Sequence, residues 1–535
     1  MPIGLLKACG RPLYKVLAPL IEACIRHEWF PERFKRAKTI VLAKPGKKPA
    51  DYKTLAGYRP IALLPTIGKV IEAILAQRIT YMAEYMGLLP DEQMGNRQHR
   101  STELAIRLVV AQVQEAWRQG LAPSLLQLDI SGAFDTVNHT RLLHTLREYG
   151  YPGWLLRLLK SWLTGRTACL HFDGRTTEPI PIKAGVPQGS PLSPILFLLY
   201  IGTLYEALKS RHPHLSIVGF ADDTNLLVFG KRPEANARQL EEAWETCLQW
   251  AGTRGMAFNA TKSELIHFNK GRRQWLQALR LRLANPNPST GNTTNNPNPG
   301  SSNTQGYSTI KPTTSARFLG VWLDWKLSWK DHGQAVERKL KTQEFALARI
   351  AGKTWGPSLA RCREVYTKCI RSLIAYGSPS YHTPAPLGKK PTGLATHLSK
   401  AQNRSLRIVA GAYKATPIRH LEAESWVPPL DLYLNKRLAD FEWRIQYPVS
   451  VANGPYKAMG DIVKEACNRL VLRAQRSRVR ARGRRPIQGP MAPTAVERAA
   501  NIVEEWMGLG DGDGTVGALA VAWKDRWEAV IVARQ

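Results

Sequence analysis

The sequence predicts an α+β fold spread over two to four domains. The first third reads as helices broken by a basic loop, from Ser124 the pattern turns to α/β, and beyond FLGVWLDWKLSW the chain is mainly helical to about Ile445. A length of 535 residues exceeds what one compact core accommodates, while 44% hydrophobic residues and 16 Trp supply material for several.

Taken in order, Thr39 to Ala43 form a short β-rich run before the loop KPGKKPADYKTLAGYRP, and Ile67 to Tyr85 place apolar residues at helical spacing. SLLQLDI reads as a buried strand, with helices at Thr140 to Tyr149 and Trp154 to Thr164. AGVPQGSPLSP is a Gly/Pro loop whose prolines open a helix ending near Lys209. LSIVGF and NLLVF flank the short polar ADDT, a hairpin signal, and a helix follows from about Pro233 to Trp250. Residues 284 to 314 are rich in Asn, Pro, Ser, Thr and Gly and almost uncharged, so a disordered insertion is expected there. Arg469 to Arg485 hold eight arginines and, with Gly483, Pro486 and Gly489, read as a flexible basic linker. No tandem repeat is evident.

The formal net charge of +33 repels itself unless a polyanion shares the surface, which points to nucleic acid. A membrane is disfavoured, because the longest apolar run, Leu192 to Leu204, is interrupted by Ser, Pro, Gly and Thr and is shorter than a bilayer span. Seven dispersed cysteines form no CxxC pair and no Cys/His cluster of zinc spacing, as expected for reduced thiols in an intracellular protein. The expected location is nucleus or cytoplasm. A mitochondrial presequence is the alternative for the basic MPIGLLKACGRPLYKVLAPL, although a plain first helix also accounts for it.

Three carboxylates carry the chemistry. Asp129 ends the apolar strand of LDISGAFDTVNH, where an acid is costly unless solvated, paired or bound to a metal. Asp222 and Asp223 lie side by side in FADD at the tip of the predicted hairpin, between runs that are nearly all apolar. Acidic turn residues are ordinary, but adjacent carboxylates in a buried hairpin repel unless a cation neutralises them. Two Mg²⁺ ions assisting phosphoryl transfer ask for hard oxygen ligands held rigidly on neighbouring strands. Between the two motifs, the glycines of AGVPQGSPLSP allow close backbone approach to a ligand, and Gln188 offers a two-sided polar edge.

In that order, LDISGAFD, GVPQGSPLSP and FADD resemble palm motifs A, B and C of reverse transcriptases. The surroundings are most similar to the LINE-type, non-LTR retrotransposon branch. YRPIALLPTIGKVIEAILAQRI resembles its fingers segment, and QMGNRQHRSTELA its template-contacting stretch, with Asn96 where an aromatic is usual. GMAFNATKSELIHF resembles motif D, and FLGVWLD the primer-grip motif E. The resemblance implies an RNA-directed DNA polymerase with a right-hand fold, an RNA template, a DNA primer, dNTPs, and two Mg²⁺ ions, with Mn²⁺ as a substitute. By it, Asp129, Asp222 and Asp223 are the metal-binding triad, and Lys44 and Arg59 grip the incoming triphosphate. Gln188 lies against nucleotide and template, and Phe134 packs beneath the ribose as a steric gate. Lys262 is a proton donor to pyrophosphate, with an ordinary surface lysine as the alternative. Trp322 and Leu323 support the primer, with plain hairpin packing as the alternative. Asp135 is expected to be structural.

The expected layout is N-terminal helices and fingers over 1–123, palm over 124–330, a helical thumb over 331–445 and a basic, mainly helical C-terminal segment over 446–535. The chain begins close to the fingers, and no Cys/His knuckle or RNase H acidic set is evident. It is therefore expected to be a piece of an element's polyprotein without endonuclease or RNase H. The rival readings are a group II intron maturase-like enzyme, an RNA-dependent RNA polymerase, and a non-catalytic RNA-binding relic.

Overall fold

The computed structural model describes residues 3–46, 48–54, 57–271, 280–284, 307–352, 355–385, 393–446, 459–480 and 514–532. Two sheets organise the first half. One is built from β1 (Arg36–Ala43) and β2 (Tyr58–Leu63), an antiparallel hairpin around the basic loop. The other is centred on β3 (Ala122–Leu128).

The first sheet continues through β4 (Thr167–Phe172), which runs parallel to β1 and pairs with the two-residue strands β5 (Arg175–Thr176) and β6 (Ile180–Pro181). The sequence pattern predicts no strands here. Asp173 and Gly174, both at positive φ, make the two-residue turn between β4 and β5, a hairpin signal that was present but flanked by mostly exposed residues.

The second sheet has the order β7-β8-β3-β9, with β7 (Ser216–Phe220), β8 (Asp223–Gly230) and β9 (Glu264–His267), and is antiparallel throughout. Its strands are continuously apolar because both faces are covered. Leu126, Leu128, Ile217, Leu226, Val228 and Leu265 face the buried helix Ser193–Arg211 and the helix Pro233–Arg254. Their neighbours Leu125, Val218, Leu227, Phe229 and Ile266 face the helix Thr102–Arg118 on the other side. This alternation is the two-residue period of a pleated strand.

The region read as a disordered insertion is corrected at its end. β10 (Leu281–Ala284) pairs with β11 (Tyr307–Ile310), Leu281 and Leu283 are fully buried, and Trp244 Nε1 donates to the Ala284 carbonyl at 2.8 Å. Alternating residues that reach this core order the hairpin despite its polar composition. The remainder of that expectation, 285–306, lies outside the described residues. β12 (Ser315–Phe318) and β13 (Val321–Asp324) form a further hairpin.

From Lys330 to Gln446 the described residues are helical segments and their connections around a separate core that includes Leu340, Tyr366, Leu398, Leu406 and Leu434. The arginine-rich region is corrected as well: Met459–Arg480 is a helix, packed on Thr102–Arg118 through Ile462, Val463, Ala466 and Leu470. Its apolar stripe at helical spacing outweighs the charge of its last turns. Residues 481–513, which contain Gly483, Pro486 and Gly489, lie outside the described set. Among the described residues no helix is long and apolar enough to cross a membrane.

Candidate active site

The two sheets face each other across a cleft of about 540 Å³ lined by both. From the first come Lys44, Tyr58, Arg59 and Pro60. From the second and its loops come Asp129 to Asp135, Asp222 and Lys262, and the loop between β6 and the helix Ser193–Arg211 adds Pro187 to Ser190. Six of the sequence-predicted site residues besides Asp222 (Lys44, Arg59, Asp129, Phe134, Gln188 and Lys262) therefore meet in one place.

Each is held by local structure. Asp129 follows the last residue of β3, and its carbonyl accepts from Asn259 N–H at 2.9 Å, while Ile130 bridges Phe258. Asn259 also caps the short turn Ala260–Lys262 with its side chain, which carries Lys262 to the cleft. There Lys262 Nζ lies 3.5 Å from Asp129 Oδ2, so the two half-exposed groups form an ion pair. Leu42 of β1 pairs with Arg59 of β2, presenting the guanidinium beside Asp222. Tyr52 Oη donates to the Lys44 carbonyl at 2.7 Å, and Tyr58 Oη donates to the Tyr52 carbonyl at 3.1 Å, bracing the basic loop.

The loop carrying Gln188 is tied to both sheets. The Gln188 carbonyl accepts from Ala62 N–H of β2 at 2.9 Å. Gly189, at φ 119°, allows this approach, since a Cβ would come within 2.6 Å of the Ala62 carbonyl oxygen. Beneath it, buried Glu72 accepts from Ser190 Oγ at 2.6 Å and Trp162 Nε1 at 2.8 Å. Burial raises the Glu72 pKa, and the two hydrogen bonds oppose that rise. Gln188 Nε2 donates to both carboxylate oxygens of Asp135, at 3.0 and 3.2 Å. The turn residue expected to be merely structural thus orients the glutamine, a role that only its partner across the cleft reveals. Phe134 is half-buried, stacks on Phe197 with ring centroids 4.8 Å apart, and still presents an edge to the cleft.

Asp222 and Asp223 sit where β7 turns into β8, with Phe220 opposite Asp223 in the ladder. Desolvation by the surrounding protein raises both pKa values. For Asp222, its own backbone N–H and Arg59 pull down while Asp129 pushes up. Asp223 receives the charges of Asp222 and Asp129 on top of burial and reaches about 6. Two carboxylates with raised pKa values, repelled by each other and by the Asp129 charge, are what a divalent cation would relieve. Among the described residues, no three Asp, Glu, His or Cys side chains close a complete ligand set.

The predicted primer-grip pair divides. Leu323 is fully buried in the core with Phe318 and Val321, so its side chain packs the hairpin from within, which is the alternative the sequence leaves open for it. Trp322 alternates to the opposite face and stays partly exposed, outside the cleft lining.

A family model described as "Reverse transcriptase (RNA-dependent DNA polymerase)" matches residues 44–323, just over half of the chain. The chain belongs to the reverse transcriptase family. Its relatives include the RNA-directed DNA polymerase from mobile element jockey of Drosophila melanogaster, 27% identical over 77% of this chain and 42% of that protein. The jockey polymerase of Drosophila funebris is also 27% identical, over 78% of this chain and 42% of the relative. The Pol polyprotein of type-2 retrotransposable element R2DM of Drosophila melanogaster is 28% identical over 43% and 21% respectively. These are non-LTR elements, and the chain spans about two fifths of the length of the two jockey relatives. Among solved structures, apo telomerase from Candida Tropicalis matches over 86% of this chain and 74% of that one, at 10% identity and a TM-score of 0.38. As a reverse transcriptase, the chain has the right-hand architecture.

Proposed function

We propose that this reverse transcriptase extends a DNA primer with dNTPs on an RNA template by two-metal phosphoryl transfer. The observation that carries the reading is a cleft that brings Asp129 and Asp222 together, with Asp223 next to them on the hairpin and within reach of both charges, and whose opposite wall supplies Lys44 and Arg59. Asp129, Asp222 and Asp223 would hold the divalent cations, which when bound lower the pKa of the primer 3′-hydroxyl and stabilise the charge on the leaving group. Lys44 and Arg59 offer cations to the triphosphate, and Arg59 can present a fork to its oxygens. The bond from the primer oxygen to the α-phosphorus would form as the bond to pyrophosphate breaks, with the 3′-hydroxyl proton passing to solvent, and Lys262 would donate a proton to the leaving group. Gln188, held by Asp135, and the edge of Phe134 shape the space for base and sugar.

The test is primer extension on an RNA template with dNTPs and Mg²⁺. Asp222→Asn and Asp223→Asn should each remove extension while leaving folding and template binding nearly intact, because each loses charge but little volume. Activity retained by both variants at saturating Mg²⁺ would defeat the assignment. Wild-type protein that binds RNA but never extends a primer would be a non-catalytic relic.

A further inference from the structure

Asp222 and Asp223 hang on a turn, and a turn by itself aims side chains loosely. Here it is gripped from outside the hairpin. Gln93 is fully buried, and its amide engages both backbone groups of Ala221. Oε1 accepts from Ala221 N–H at 2.9 Å, and Nε2 donates to the Ala221 carbonyl at 3.1 Å. The same Oε1 accepts from Gly95 N–H at 3.0 Å, and Nε2 reaches Tyr205 Oη at 3.4 Å. Around this clamp, Gly219 N–H donates to the Glu92 carbonyl and Met94 N–H to the Gly219 carbonyl, so Gln93 bridges β7 in parallel.

The clamp acts on a strained residue. Ala221 has a φ of 56°, a left-handed conformation that a residue with a Cβ adopts only when its surroundings impose it. The approach is close enough that a Cβ on Gly95 would lie 2.2 Å from the Ala221 nitrogen. Gln93 itself does not line the cleft.

We propose that Gln93 is a positioning residue for the divalent cations. By fixing Ala221 it sets the direction of Asp222 and Asp223, so metal affinity depends on a side chain from the segment leading into the helix Thr102–Arg118. This rests on the polymerase reading above. An amide suits the task because it donates and accepts at once, matching the two backbone groups of one residue.

Gln93→Met in the full chain removes both bonds at similar volume. Two quantities are read: Mn²⁺ affinity of the nucleotide-free protein, from the electron paramagnetic resonance signal of free Mn²⁺, and the Mg²⁺ concentration for half-maximal extension. Metal binding should weaken roughly ten- to a hundredfold, as is typical when a group that orients a metal ligand is lost. RNA–primer affinity should hold, and extension should recover at high Mg²⁺. Gln112→Met is the control: it removes another buried amide, which accepts from Ser216 Oγ at 2.6 Å at the far end of β7. It should lower Tm without moving either metal reading. If Gln93→Met does not fold, Gln93→Glu replaces it, keeping the acceptor for Ala221 N–H but setting a carboxylate against the carbonyl, with the same expected shift. Wild-type metal dependence in the Gln93 variant, or equal shifts in both glutamine variants, overturns the proposal. Wild-type protein that neither extends primers nor binds Mn²⁺ overturns the polymerase reading, and this one with it.

Discussion

At the scale of the residue, the crowding of Asp223 makes a prediction about pH. Its pKa is raised from the ordinary 3.8 to about 6, first by burial and then by Asp222 and Asp129. Between those values the folded state holds the proton more tightly than the unfolded chain, so stability of the metal-free protein falls as pH rises through that window. Asp223→Asn should therefore raise Tm at about pH 8, and the gain should vanish toward about pH 4. Saturating Mg²⁺ should stabilise the wild type at the higher pH and the variant far less. Thermal denaturation with and without Mg²⁺ at the two pH values checks all three. Phe134 supports a second expectation. Its ring leans on Phe197 yet edges the cleft, and steric overlap with a 2′-hydroxyl costs on the order of 1–3 kcal/mol, roughly ten- to over a hundredfold selection. Phe134→Val should keep dNTP incorporation measurable while sharply raising rNTP incorporation, read by single-nucleotide extension. Equal loss of both would make the ring core packing only. The acids were legible in sequence because a charge at the end of an apolar strand is locally anomalous. Gln93 was not, since its meaning depends on Ala221, distant in the chain, and an isolated glutamine carries no pattern.

At the scale of the element, strands buried on both faces were easy to read and half-exposed ones were not. SLLQLDI and NLLVF announce themselves by continuous apolar runs. The exposed β4–β5 hairpin offered only its Asp-Gly turn, and β11 was hidden inside a polar, low-complexity stretch. That last difference alters what can be removed. Replacing residues 286–306 with a short Gly/Ser linker should preserve extension activity and Tm, because the cost of loop closure changes only slowly with length. Extending the replacement to 312 deletes β11 and the bridge between Leu265 and Pro312, and uncovers Leu281 and Leu283. Tm should then fall measurably. Equal behaviour of the two deletions would mean that the β10–β11 hairpin contributes nothing to the fold.

At the scale of the whole molecule, a charge of +33 points to the class of partner but not to how the two halves of the chain are fastened. Periodicity locates helices without saying which faces meet, and the fastening joins positions far apart in the chain. Arg107, on the helix behind the β3-centred sheet, donates through Nη2 to Glu442 Oε1 at 2.7 Å and through Nη1 to the Pro379 carbonyl at 3.2 Å, with both charged side chains almost completely buried. Nearby, Arg437 reaches Glu103 at 2.8 Å from the same helix, Leu430–Gln446. Burial lowers the Arg107 pKa and raises that of Glu442, each opposed by its partner. Such a pair adds little net stability over well-packed apolar residues, yet breaking it strands a charge in the interior. Glu442→Leu should therefore cost about 3–5 kcal/mol in chemical denaturation, while Arg107→Met with Glu442→Leu should recover most of that loss. The double variant also separates fastening from chemistry. If the pair serves only to specify how the C-terminal helices dock on the helix Thr102–Arg118, restored stability should bring restored primer extension; a stable but inactive double variant would mean that the charges themselves set the position of those helices relative to the cleft.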